Sequence, residues 1–106
     1  MAKNKIIKLR DAAFILQNGQ CFYCGCQMVK ASAPRGSMQS ACTAEHMIPK
    51  SEGGASSSVN IKAACRYCNH TRHKMKPVLS PEAYRNHVRR RLAEGKWRPH
   101  SARMLS

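Results

Sequence analysis

Apolar side chains recur at Ile6, Leu9, Ala13 and Leu16, three or four residues apart, and Gly19 stands where a helix so spaced would end. The spacing predicts an amphipathic helix over residues 5–18. Residues 31–41 are small and polar with no apolar period, and read as a loop. Short β-type runs follow at Thr43 to Met47 and Val59 to Ala64, separated by Pro49 and the Gly- and Ser-rich stretch from Ser51 to Ser58. A second helix should open around Cys65 and Cys68 and run to about Met75, because Pro77 cannot continue it. Ser80 is the N-cap of a third, with Pro81 at its first position and Glu82 near the positive end of the dipole. Tyr84, Val88 and Leu92 line one face of that helix, Gly95 marks its end, and a basic tail begins at Lys96. A hairpin followed by a helix, flanked by two more helices, is an α+β arrangement within one domain, residues 1–106. There is no internal repeat.

A chain of 106 residues buries only about 60–70% of its unfolded surface, too little for a generous apolar core. The cysteines change that picture. Cys21-Phe22-Tyr23-Cys24 and Cys65-Arg66-Tyr67-Cys68 are two Cys-x-x-Cys pairs, and four thiolates at this spacing can close a tetrahedral zinc site. Gly25 directly after Cys24 suits the tight turn of a zinc knuckle, which favours Cys21 and Cys24 over Cys24 and Cys26 as ligands. Cys26 and Cys42 are then small buried side chains, Phe22 and Tyr23 cover the knuckle, and Tyr84 and Trp97 are packing residues. Structural zinc contributes on the order of 10–16 kcal/mol in small peptides, so folding and metal loading are expected to be coupled. The N-terminus has no signal-like apolar core, since Lys8, Arg10 and Asp11 interrupt it. No run approaches the roughly 20 apolar residues of a membrane span. A reducing cytosol, bacterial or that of a phage-infected cell, is the expected compartment.

Lysine and arginine number 19 against five acidic residues, giving a formal charge of +14. That field draws in polyanions by phosphate contact and counterion release, without sequence preference. With no anchor for a membrane surface, nucleic acid is the natural partner.

Between the cysteine pairs stands Glu45-His46-Met47-Ile48-Pro49-Lys50-Ser51-Glu52-Gly53-Gly54, then Val59-Asn60-Ile61, then Cys65-x-x-Cys68-Asn69-x-x-Arg72. Over residues 21–75 this combined pattern resembles the HNH endonuclease family. The resemblance implies a ββα-metal (His-Me finger) unit with a divalent ion between hairpin and helix, stapled by the four-cysteine zinc site. It further implies DNA cleavage leaving a 3′-hydroxyl and a 5′-phosphate. By position, His46 matches the general base, Asn60 the central asparagine, Glu45 the acidic ligand before the base and Asn69 the third motif position, a metal ligand. Aspartate is more usual at the position of Glu45. His73, four residues after Asn69 on the same helical face, is the lesser candidate ligand.

The residue types suit that chemistry in their own right. Neutral imidazole, with an ordinary pKa near 6.5, accepts a proton from water around neutral pH. Magnesium, manganese or another divalent ion on one carboxylate and one amide oxygen keeps positions open for phosphate. Asn60 would fix the loop of the hairpin that carries His46. Arg72, Lys74, Lys76, Arg85, Arg89 and Arg90 are candidate contacts to double-stranded DNA, intact, branched or nicked. So small a chain has little surface for base reading, and a protein partner could supply specificity. A non-cleaving zinc-dependent nucleic-acid-binding module fits the same fold, with glutamate at position 45 silencing the site. A zinc-stapled protein adaptor fits the fold but not the charge.

Overall fold

The structure, a computed structural model, describes residues 2–30 and 38–97. Helix α1 spans Ala2–Leu16, strand β1 Cys42–His46, strand β2 Ile61–Cys65, helix α2 Arg66–Lys74 and helix α3 Pro81–Ala93, with a single 3₁₀ turn at Lys50–Glu52 between the strands. β1 and β2 pair antiparallel, with Cys42 opposite Cys65 and His46 opposite Ile61. A two-stranded ribbon is marginal in water. Here α1 and α2 both pack against both strands and supply the missing burial. The α+β class, with its hairpin, following helix and flanking helices, stands as the spacing of the sequence indicated.

Element ends differ by a few residues, for local reasons. α1 closes at Leu16 because Asn18 (φ 55°) and Gly19 (φ 73°) turn left-handed, and the Gly19 amide donates to the Phe14 carbonyl at 2.8 Å. β2 starts at Ile61 rather than Val59. The amides of Asn60 and Ile61 both donate to Ser57 O at 3.0 Å, which holds the preceding residues in a turn and leaves Val59 82% exposed. α3 begins as its sequence suggests, with Ser80 Oγ accepting from Ala83 N at 3.2 Å and Pro81 in the first turn. Of the expected loop, residues 31–37 lie outside the described residues. Its last part is tied down, Ala41 bridging in parallel to Val29. The basic tail from residue 98 onward also lies outside them.

The core is sulfur and aromatic rings more than aliphatic side chains. Tyr23, Tyr84, Cys65, Cys68, Ile61 and Val88 are fully buried. Tyr23 and Tyr84 meet edge to face at 4.8 Å, Trp97 packs on Tyr67 at 5.2 Å, and the Tyr84 hydroxyl donates to the Cys68 carbonyl at 2.7 Å. α3 is thereby docked onto both cysteine pairs. The outward edge of β2 is closed by other parts of the chain. Gln17 accepts from Ala63 N and donates to Ala63 O, both at 2.9 Å, Phe22 N also donates to Ala63 O, and Cys65 N donates to Cys21 Sγ at 3.2 Å.

The loop after β1 is pinned from inside. Asn60 is buried, accepts from Ile48 N at 2.7 Å and donates to the carbonyls of Ile48 and Ala55 at 3.0 and 2.9 Å. Gly54 closes the same loop by donating to Pro49 O at 2.9 Å, and a Cβ there would sit 1.7 Å from the Ile48 carbonyl oxygen. Gly54→Ala therefore forces the backbone apart. It is expected to cost about 1–3 kcal/mol, the usual range for overpacking, read as a lowered thermal midpoint.

Candidate active site

Side chains of a strand leave alternately on its two faces. Along β1, Thr43 and Glu45 share the face that meets α2. On α2, Asn69, Arg72 and His73 follow at helical spacing, so all three look toward that face. Glu45 is the meeting point. Its Oε1 lies 3.0 Å from His73 Nε2, and its Oε2 accepts from Arg72 Nη1 at 3.0 Å and from the Tyr23 hydroxyl at 3.1 Å. The carboxylate is only 3% exposed, and Arg72 2%. A buried carboxylate is tolerated because it is paired and hydrogen-bonded on both oxygens. Burial foremost, together with the Glu45 charge, raises the Tyr23 phenol far above its ordinary range, so it stays a donor.

Asn69 joins the same face differently. Its Nδ2 donates to Thr43 Oγ1 at 2.9 Å and to Ala44 O at 3.3 Å, which leaves Oδ1 as the atom with capacity to accept. His46, the last residue of β1, departs from the other side of the strand. Its ring is half-buried, and its Nε2, buried and without a hydrogen-bond partner among the described residues, is one of two such side-chain atoms, with Ser40 Oγ. Burial, and next the Lys50 charge, lower its pKa below 6.5 against a smaller opposing pull from Glu45, so the imidazole is neutral at pH 7. A cleft of about 630 Å³ runs past His73 and Arg72, walled by the 47–52 loop on one side and residues 78–81 on the other. His46 does not line it.

Beneath the hairpin, the sulfurs of Cys21, Cys24, Cys65 and Cys68 all lie within 4.8 Å of one another, and all four residues are buried. They could hold a metal ion. Sulfurs around a tetrahedral ion at about 2.3 Å stand roughly 3.8 Å apart, and Cys24 and Cys65 are 3.9 Å apart. The surroundings suit thiolates as well. Tyr23 N donates to Cys21 Sγ, Cys68 N to Cys65 Sγ and Trp97 Nε1 to Cys68 Sγ, each at 3.4 Å. Burial and the Cys24 thiol push Cys21 up, but hydrogen bonds with Cys26, Cys65 and Cys68 outweigh them and bring it down to about 4. The neighbouring thiols hold Cys24 low too, while Cys21 and Cys24 push Cys65 and Cys68 up, so the four crowded sulfurs compete for the same protons. Cys26 and Cys42 are buried and outside the four, and burial pushes the Cys42 thiol up to about 11.

A family model described as HNH endonuclease matches residues 21–75, just over half of the 106 residues. The chain belongs to the HNH endonuclease family. No curated protein and no solved structure matches it. The matched segment runs from the first cysteine of the cluster to the end of α2, so it contains the four sulfurs, Glu45, His46, Asn60, Asn69 and His73. HNH endonucleases act on nucleic acid. No helix among the described residues of this HNH protein is long and apolar enough to cross a membrane.

Arg72 departs from its expected role. It does not extend toward a phosphate: it is buried, spends Nη1 on Glu45, and donates Nε to the Leu79 carbonyl at 3.0 Å. The other basic candidates of this HNH chain, Lys74, Lys76, Arg85, Arg89 and Arg90, are exposed. Two of them also pack on the first cysteine pair: Arg85 lies 4.8 Å over the Phe22 ring, and Arg89 donates to the Tyr23 carbonyl. Sequence reasoning missed Tyr23 and Trp97 as polar partners. No sequence signal reveals them, since both contacts depend on how α3 folds back. The ion pair of Arg72 had a signal: its position three residues after Asn69 and one before His73 puts it on their face.

Proposed function

We propose that the protein is a divalent-ion-dependent endonuclease that hydrolyses phosphodiester bonds in DNA. One observation carries the reading: within the family-matched segment, Glu45 and His73 converge at 3.0 Å on one face of β1, while the adjacent His46 holds a buried ring nitrogen with no hydrogen-bond partner among the described residues. In-line hydrolysis asks for a base and a cation on opposite sides of phosphorus, so no direct contact between His46 and Glu45 is required.

In this scheme Glu45 Oε1, His73 Nε2 and Asn69 Oδ1 hold the divalent ion. His73, the lesser candidate from sequence, becomes a full member because it touches Glu45. A magnesium, manganese or similar ion bound there would stabilise charge on the phosphate and on the departing 3′ oxygen. Neutral His46 takes the proton from the attacking water, whose oxygen joins the new 5′-phosphate as the bond from phosphorus to the 3′ oxygen breaks, and the departing 3′ oxygen takes a proton from solvent water to end as a 3′-hydroxyl. Asn60 keeps the loop beyond His46 in place through its three bonds to Ile48 and Ala55. Zinc is the structural ion of the four cysteines, and Lys74, Lys76, Arg85, Arg89 and Arg90 contact phosphates of the double-stranded substrate, intact, nicked or branched. The setting is cytoplasmic, and sequence selection is either weak or supplied by a partner protein.

A second reading has its own support. Both oxygens of Glu45 are already paired, and its carboxylate is almost fully buried. A site locked in that state would make a non-cleaving zinc-dependent DNA-binding module. Supercoiled plasmid decides between them. With magnesium or manganese the protein should convert it to nicked circles, and addition of EDTA during the reaction should stop further conversion. Retarded plasmid that stays supercoiled with every divalent ion tried would favour the binding module.

A further inference from the structure

We propose that Tyr23, with Arg72, is a positioning residue that ties the first cysteine pair to the catalytic cation site by holding one oxygen of Glu45 and reserving the other for the ion. This rests on the ligand assignment proposed above. Tyr23 sits inside the Cys21-x-x-Cys24 turn, fully buried, and its backbone amide donates to Cys21 Sγ at 3.4 Å while its hydroxyl reaches Glu45 Oε2 at 3.1 Å. The same residue thus touches the sulfur cluster at one end and the carboxylate at the other. Arg72 Nη1 fixes Oε2 from the opposite element, α2. Only Oε1 faces His73. Glu45 is thereby a one-oxygen ligand whose direction is set before any ion arrives, which lowers the cost of ordering it on binding.

The arrangement also gives a reason for glutamate at this position. The side chain must leave β1, pass between Tyr23 and Arg72, and still present an oxygen to His73. Aspartate is one methylene shorter and cannot keep all three contacts from the same Cα. In this chain the longer side chain and the tyrosine of the cysteine turn form a matched pair. Glutamate here is a working part of the site, not a lapse from it.

Manganese binding tests this without relying on cleavage. The probe is the electron paramagnetic resonance signal of free Mn²⁺, titrated against full-length, zinc-loaded His46→Ala protein bound to a short DNA duplex. On that background Tyr23→Phe should raise the apparent Kd for Mn²⁺ about 10- to 150-fold, the size expected for one lost hydrogen bond to a charged group. Arg72→Lys should raise it comparably. Glu45→Asp should also weaken binding, and adding Tyr23→Phe to it should change nothing more, because the aspartate no longer reaches the hydroxyl. Unchanged Mn²⁺ affinity in Tyr23→Phe overturns the inference, as do losses that simply multiply in the double variant. Mn²⁺ binding that Tyr23→Phe weakens, with no plasmid nicking by wild type, would strike the endonuclease reading and leave this one standing. Nicking by wild type with indifferent Tyr23→Phe affinity would do the reverse.

Discussion

His46→Ala is expected to lower the plasmid nicking rate by about 10²- to 10⁴-fold, the range associated with a positioned general base. DNA binding should persist, because in the proposed scheme lysines and arginines elsewhere on the surface supply the affinity. The pH profile adds a second readout with a definite sign. A base must be unprotonated to work, and burial and Lys50 lower the His46 pKa beneath 6.5. Nicking should therefore level off above neutral pH and fall as the solution is acidified through a midpoint below 6.5. The alanine variant's residual rate should lose that acid limb. A profile whose midpoint lies above 7, or an alanine variant as fast as wild type, would remove His46 from the role. Rates should be measured at fixed ionic strength, since screening of a +14 chain alters binding on its own.

Removing an ion held by the four cysteines should have the largest effect on the molecule itself. The four sulfurs link the turn after α1 to the junction between β2 and α2, and Tyr23, Tyr84 and Trp97 pack around them. Structural zinc contributes on the order of 10–16 kcal/mol, against a whole-domain stability of about 5–15 kcal/mol. A thiophilic chelator, or Cys65→Ser, is expected to abolish cooperative thermal unfolding and most helical circular dichroism. The fluorescence of Trp97 should shift toward that of an exposed indole, since its ring nitrogen now donates to Cys68 Sγ. Retention of a sharp, unshifted melting transition in the metal-free protein would show that the ion is not what holds the fold.

Much of this was legible in the sequence, and what was legible had a local physical cause. α2 and α3 announced themselves through Pro77, Ser80 and Pro81, because caps and prolines act within one turn of chain. The four cysteines could be singled out from six because ligand spacing and Gly25 constrain the turn locally. The ends of β2 were less legible. Val59 favours a strand, but Ser57 O captures the amides that would start one, and that turn shows only once the loop is closed by Asn60 and Gly54. The candidate site divides in the same way. Positions 45, 46, 60, 69 and 73 were visible as residue types at fixed spacing. The partners of Glu45 were not, since Tyr23 lies 22 residues away and Arg72 27 residues away along the chain. A positive charge on a basic chain reads as a phosphate contact until packing shows it turned inward.

A two-stranded ribbon normally leaves a row of amides and carbonyls free to recruit a stranger's strand, a route to self-association and aggregation. In β2 the Gln17 amide, Phe22 N and Cys21 Sγ occupy that row. The turn that closes the N-terminal helix and the cysteine turn thus act as a built-in guard, and shortening the protein to its ββα unit would strip part of that guard away along with the packing.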